Sequence, residues 1–308
     1  MSHAMSHTMN RRLTGVLGPV ITPFEEYEEL DLEAFAFDLR AHFESGLDGV
    51  VVCGSTGEAA LLSDEERASL VAVAREIVPR DKWLIVGTGA ESTRSTVQRC
   101  RSSAARGADA VLVVAPHYYG PSAMTPLALR THYARVADES PIPVLLYNIP
   151  KYMHFRLEPD LIAELAEHPN IVGMKDSSGD MAYLERCVVS QDDAFTVLTG
   201  NGATWATALR LGAQGGILAV ALFAAELSVE VWRAHTERRP DEADELQKRL
   251  TPLATEIVGR MGVAGVKAAM DRVGLRGGPV RGPLVRLSAA DEARVTELLR
   301  ESSLAGRP

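Results

Sequence analysis

Cysteine is scarce in this chain: Cys53, Cys100 and Cys187 are the only three, odd in number, far apart and never in a Cys-x-x-Cys arrangement. That excludes a disulfide framework and a cysteine-built zinc site, and it fits a reducing compartment, so a cytoplasmic protein is expected. Cys53 stands before a Gly-rich turn, yet no histidine joins it in a nucleophile motif, and it is read as a small buried strand residue. The eight histidines show no ligand spacing, so no metal site is expected. A P-loop and a dinucleotide-binding glycine fingerprint are missing too, and no cofactor is expected. No apolar run approaches the length of a membrane span. Met1 to Arg12 lacks the apolar core of a signal peptide and, with its repeated Met-Ser-His, reads as a disordered lead-in. Positive charge is in short supply, with 32 Lys and Arg against 41 Asp and Glu and a net charge of -9. This weighs against a nucleic-acid or anionic-membrane partner, though a small anionic substrate feels only local charge.

What is present is the composition of a soluble globular protein, 46% hydrophobic and 24% charged over 308 residues, enough for one large core. Short β-branched runs alternate with longer segments of helical period, eight times. The expected strands are residues 15–23, 49–54, 83–87, 110–115, 143–147, 171–175, 196–199 and 216–220. Their near-continuous Val, Ile and Leu suit parallel strands buried on both faces. Between them, helices are expected at residues 31–44, 64–78, 94–106, 125–138, 159–167, 181–189, 203–211 and 225–237. Ser63 with Glu66 makes a capping box, Pro126 suits a first helical turn, and Gly107 and Gly212 suit helix ends. Eight strand–helix units predict an α/β fold, a (β/α)8 TIM barrel over residues 13–240. A doubly wound open sheet is the competing fold, disfavoured because Ile21-Thr22-Pro23-Phe24 follows the first strand where a phosphate-binding glycine turn would stand. After about residue 240 the alternation stops, and residues 241–260, 263–273 and 289–301 read as three helices of a C-terminal extension, 241–308, packed on the barrel.

In such a barrel the chemistry gathers at the C-terminal ends of the strands. Lys175 closes the sixth strand. A lysine there either caps the strand and points to solvent or has its amine in use. An amine held out of water sheds its proton more readily, which is what a Schiff-base nucleophile requires. Gly54-Ser55-Thr56-Gly57-Glu58 follows strand two; its hydroxyls and amides suit a small carboxylate, or form an ordinary turn. Tyr118 and Tyr119 follow strand four, Tyr147 ends strand five with Tyr152 nearby, Gly200 follows strand seven and Ile217 lies in strand eight. A lysine, phenols and hydroxyls with no metal set point to carbonyl chemistry through an imine.

The stretches GSTGE at 54–58, YNIP at 147–150 and GMKDS at 173–177, in this order and with Tyr147 and Lys175 28 positions apart, resemble the dihydrodipicolinate synthase / N-acetylneuraminate lyase superfamily of pyruvate-dependent class I aldolases. The resemblance covers residues 13–299. It implies Lys175 as the Schiff-base lysine, Tyr147 as proton shuttle, and Ser55 and Tyr118 as the rest of the relay. Thr56, with the loop bounded by Gly54 and Gly57, would hold the carboxylate of pyruvate, while Ile217, Gly200 and Tyr152 would complete the substrate site. Tyr118 would come from a neighbouring subunit, so the resemblance implies a homo-oligomer, a dimer of dimers. Pyruvate and an aldehyde would be the substrates. Tyr152 departs from the synthase pattern, which has an arginine there to grip the second substrate's carboxylate. Arg67, Glu91, Ser95 and His117 depart from the family's lysine-feedback positions. Other stretches, among them residues 140–144, 168–175 and 212–216, look more like 4-hydroxy-2-oxoglutarate aldolases. The expected function is therefore a 4-hydroxy-2-oxoglutarate-type or related 2-oxo acid aldolase, with 4-hydroxy-tetrahydrodipicolinate synthase, a sugar-acid lyase or dehydratase, and a non-catalytic metabolite-binding or scaffold member as alternatives.

Overall fold

The structure, a computed structural model, describes residues 12–304; most of the lead-in expected before residue 13 lies outside the described residues. Eight parallel strands close into a barrel in sequence order, β1 next to β2 and so on round to β8 beside β1. They are β1 Gly15–Pro19, β2 Gly49–Val52, β3 Trp83–Gly87, β4 Ala110–Val114, β5 Val144–Asn148, β6 Ile171–Asp176, β7 Thr196–Thr199 and β8 Gly215–Ile217. Nearly every strand residue is buried, as apolar strands must be when helices cover one face and the barrel packing fills the other.

The helices are α1 Leu32–Glu44, α2 Asp64–Ile77, α3 Thr93–Ala105, α4 Pro126–Glu139, α5 Pro150–Met153, α6 Pro159–Ala166, α7 Met181–Val188, α8 Trp205–Arg210 and α9 Ala225–Thr236. The capping box forms as the sequence indicates: the Glu66 amide donates to Ser63 Oγ (3.2 Å), and the Ser63 amide donates to Glu66 Oε2 (2.8 Å). Gly107 and Gly212 follow their helices at positive φ, +84° and +107°.

Four expected strands end early, β4 by one residue at Val114 and the other three for local reasons. Residues 20–23 leave the sheet after the Val20 amide bonds the Val51 carbonyl, because Pro23 has no amide to continue a ladder. β2 stops at Val52 because Cys53 adopts φ +55°. The last expected strand becomes β8 plus a 3₁₀ turn, Ala219–Leu222. The expected helix 241–260 also divides, into α10 Pro240–Pro252 and a π-helical stretch Leu253–Arg260. Pro252 removes an amide and crowds the preceding turn, and the ladder widens to i−5 bonds such as Met261 N to Glu256 O (3.0 Å). Two further helices follow, α11 Gly262–Arg272 and α12 Ala289–Glu301.

β6 carries a bulge that decides the site. Val144 pairs with Ile171, but Leu145 pairs with Gly173, so Val172 is an extra residue. Without that slip Tyr147 would face Met174. With it Tyr147 faces Lys175, and both project on one side of the sheet. Gly173 lets β6 and β7 approach there, since a Cβ at this position would come within 2.5 Å of the Thr196 carbonyl.

His42 on α1 is buried, and that burial lowers its imidazole pKa to about 4. Between that value and 6.5 the unfolded chain binds a proton that the folded one does not. Stability is therefore complete above about pH 6.5 and is lost as pH falls. His42→Phe is expected to remove about 2 kcal/mol of the stability loss between about pH 7.5 and pH 5, read by urea denaturation at both pH values. Equal losses in variant and parent would refute the assignment.

Candidate active site

A cavity of about 240 Å³ opens at the C-terminal mouth of the barrel. Lys175, Tyr147, Ser55, Thr56, Gly200 and Ile217 line it, and Tyr152 stands on its rim, 41% exposed. Seven residues expected at the site are thus brought together. Lys175 is 5% exposed, and its amine lies 4.5 Å from the centre of the Tyr147 ring. No carboxylate of the described residues forms an ion pair with it. The adjacent Asp176 is turned away: its carboxylate accepts from Asn148 Nδ2 (2.7 Å), from the Ser178 amide (3.1 Å) and from the Ser178 hydroxyl (2.7 Å). Burial raises the Asp176 pKa, against the pull of those bonds. Gly200 leaves room for the lysine stem, because a Cβ there would meet Lys175 Cε at 2.6 Å and run into Ser177 Oγ.

The Gly54–Glu58 loop turns its later amides inward. Gly57 N bonds Gly54 O (3.0 Å), Glu58 N bonds Ser55 O (3.2 Å) and Ala59 N bonds Gly54 O (3.3 Å). The amides and hydroxyls of Ser55 and Thr56 are left unspent at the cavity, as a small carboxylate ligand needs. Gly54 and Gly57 shape this loop from behind and do not line the cavity; a Cβ on Gly57 would press on the Val20 carbonyl at 2.8 Å.

Tyr118 is a third expected site residue that stands off the cavity, after Gly54 and Gly57. It is 79% exposed at the tip of the β4–α4 loop, edge-on to Tyr119 at 5.3 Å, and it does not line the cavity of its own chain. The Glu91 carboxylate holds the loop there by accepting from the His117 and Tyr118 amides (2.9 Å each). Sequence reasoning missed Ser177, which faces the cavity two residues after Lys175, and the outer wall. Val258 and Gly259 of the π-helical stretch, with Val263 and Val266 of α11, supply that wall. Nothing chemical in those residues flags them. Lys151 bridges the mouth, its amine donating to the Gly259 carbonyl (3.1 Å). Burial, and then the proximity of Tyr147, raise the pKa of Tyr152 and keep its phenol neutral. Cys53 is buried and its thiol is pushed up to about 11, the inert strand-end residue that its sequence context indicated.

A closed barrel with a buried lysine, a phenol and a hydroxyl-bearing loop in one mouth defines a barrel enzyme of the lyase class. A sequence profile described as the dihydrodipicolinate synthetase family matches residues 12–302. A 4-hydroxy-tetrahydrodipicolinate synthase of Methanothrix thermoacetophila is 34% identical over 290 residues, covering 94% of this chain and 97% of that one. Among solved structures, dihydrodipicolinate synthase from Aquifex aeolicus superposes with a TM-score of 0.90 at 30% identity, covering 96% of this chain and 100% of that one. YagE, a prophage protein of the dihydrodipicolinic acid synthase family from E. coli K12 solved in complex with pyruvate, has the same TM-score at 28% identity, with the same coverage. The chain belongs to the dihydrodipicolinate synthetase family. It is accordingly an enzyme, an aldolase or lyase of the class I type. The likeness to 4-hydroxy-2-oxoglutarate aldolases finds no support in these matches, whose relatives carry synthase names. None of the described helices is long and apolar enough to cross a membrane.

Asn148 carries two buried bonds behind the site, donating to Asp176 and accepting from the Leu157 amide (3.0 Å). Asn148→Ala is expected to cost about 2 kcal/mol in denaturant unfolding, because the Leu157 amide stays buried without its partner and Asp176 keeps only its two bonds from Ser178. A loss under about 1 kcal/mol would show that this pair does not hold the β5–β6 edge.

Proposed function

We propose that this enzyme joins pyruvate to an aldehyde through an imine on Lys175, and that the aldehyde is aspartate semialdehyde, making it a 4-hydroxy-tetrahydrodipicolinate synthase. The observation that carries the imine is the Lys175 amine itself: 5% exposed, unpaired, beside Tyr147 and open to the cavity. The synthase names of the curated relatives support the choice of aldehyde.

The steps follow from the groups in place. The amides and hydroxyls of Ser55 and Thr56 hold the carboxylate of pyruvate, which fixes its keto carbon beside Lys175 Nζ. The amine adds to that carbon, and water leaves after the oxygen is protonated through Tyr147. The resulting iminium draws electrons from the methyl carbon, which gives up a proton and becomes an enamine. The enamine carbon attacks the aldehyde carbon, one C–C bond forms, and the new alkoxide takes a proton from the relay of Tyr147, Ser55 and Tyr118. The amino group of the condensed semialdehyde then attacks the imine carbon, which closes the six-membered ring and releases Lys175 as the free amine. Tyr118 is presented outward by its own chain, so in this reading it serves the cavity of a neighbouring copy in a homo-oligomer.

Tyr152 favours a second reading. A phenol offers no bidentate grip on the semialdehyde carboxylate, which weighs against that aldehyde and leaves a 4-hydroxy-2-oxo acid aldolase such as the 4-hydroxy-2-oxoglutarate type as the second reading. Against it, Lys151 stands on the same rim as the one cation besides Lys175 among the lining residues, and it can meet the semialdehyde carboxylate as a point charge.

Borohydride reduction in the presence of pyruvate is expected to add one reduced pyruvyl group to the intact chain, read by mass spectrometry. Lys175→Ala should abolish the adduct and lower turnover by at least about a thousandfold. An unchanged mass would falsify the imine reading. In a substrate panel, condensation of pyruvate with aspartate semialdehyde is expected to outrun cleavage of 4-hydroxy-2-oxoglutarate; the reverse order establishes the second reading.

A further inference from the structure

The molecule buries a second lysine on its far side of the cavity wall, and its environment is the opposite of that of Lys175. Lys267, on α11, is fully enclosed, with its amine 2.6 Å from Glu58 Oε1. The same amine donates to the Pro279 carbonyl (2.6 Å) and lies 4.5 Å from the centre of the Phe24 ring. The second oxygen of Glu58 accepts from the Arg281 amide (2.9 Å). The Arg281 guanidinium continues to Glu66 and to the Leu61 carbonyl, and packs 4.2 Å from the same Phe24 ring. The cluster draws on three segments far apart in sequence: Phe24 after β1, Glu58 to Glu66 after β2, and Lys267 to Arg281 after β8.

Glu58 is no ordinary surface carboxylate. It has φ +55°, a conformation L-residues adopt only where the surroundings hold them, and it directly follows Ser55, Thr56 and Gly57. Gly57 is fixed from the other side, its carbonyl accepting from Thr22 Oγ1 (2.7 Å). The short loop that offers two amides and two hydroxyls to the cavity is therefore clamped at its C-terminal end, and the clamp is a buried ion pair. Replacing such a pair by apolar residues of similar volume is often neutral or stabilising, so its value here lies less in stability than in the short contacts that hold the end of the loop in one place. α11 meanwhile places Val263 and Val266, on the turn before Lys267, against the cavity. One helix thus forms the wall of the site and holds the loop inside it.

We infer that Lys267 is a positioning residue for the carboxylate-binding loop: through Glu58 it sets where the Ser55 and Thr56 amides stand, and so how tightly the carboxylate of a 2-oxo acid is held. The inference rests on the imine reading above. Removal of the Lys267 charge should loosen pyruvate without touching the amine that reacts with it.

The test is borohydride trapping of the full chain over a range of pyruvate concentrations, reading half-saturation and maximal labelling rate separately. Lys267→Met is expected to raise the half-saturating pyruvate concentration about tenfold or more, with the saturated labelling rate within about twofold of the parent. Glu58→Gln, which keeps shape and hydrogen bonding, should shift half-saturation the same way by a smaller factor and serves where Lys267→Met does not fold. An unchanged half-saturation in a folded variant overturns the inference. So does a fall in saturated rate in proportion to lost folded protein, and so does failure of both variants to fold, because each marks the pair as structural alone. Failure of the parent chain to label is a different result, since it removes the imine reading before Lys267 enters.

Discussion

A buried amine without a counter-charge is the constraint around which this barrel is organised. Taking an ammonium out of water is costly, and a fold normally answers with a carboxylate. At Lys175 the answer is withheld: the nearest acid in sequence, Asp176, is committed to Asn148 and Ser178, and a phenol ring stands where a partner could have been. Several otherwise unrelated features follow from that demand. The extra Val172 in β6 brings Lys175 level with Tyr147, Gly173 permits the strand to sit close to its neighbour, and Gly200 keeps the lysine stem free. Val172 and Gly173 are departures from an ideal strand within three residues of Lys175, and Gly200 directly follows β7, beside the lysine stem.

The two enclosed lysines show how one residue type serves two ends. Lys267 is paired at 2.6 Å and hydrogen-bonded to backbone; burial pulls its pKa down while Glu58 pulls it back up. Lys175 has neither compensation and faces an open cavity. The first arrangement fixes a position, and the second leaves a group free to react. They also divide the chain. The reacting groups sit on strand ends and βα loops, as in barrel enzymes generally, while the outer wall and the clamp on the Ser55–Thr56 loop come from the helices after β8.

Much of this was legible in the sequence, because it depends on neighbours along the chain. Runs of Val, Ile and Leu marked all eight strands, Ser63 and Glu66 marked a helix start, and the position of Lys175 at the end of the sixth run placed it in the mouth. The unread parts depend on partners distant in sequence or on small slips of register. Val172 looks like any strand residue, and only pairing with β5 shows it to be an insertion. Residues 241–260 read as one helix, and neither its division at Pro252 nor the π-helical stretch that brings Gly259 over the cavity was legible. Val263, Val266 and Lys267 have the composition of an ordinary helix, so neither the wall nor the clamp could be foreseen. Tyr118 was rightly placed after β4, yet its side chain projects outward because Glu91 holds the loop backbone.

The central claim, a Lys175 imine with its carboxylate seated on the Ser55–Thr56 loop, is tested most directly by a crystal structure of the enzyme reduced with borohydride in the presence of pyruvate. The account predicts continuous density from Lys175 Nζ to the former keto carbon, with the carboxylate against the Ser55 and Thr56 amides. Pyruvate lying unlinked to Lys175, or linked to it with the carboxylate turned towards Lys151 and Tyr152, would contradict it.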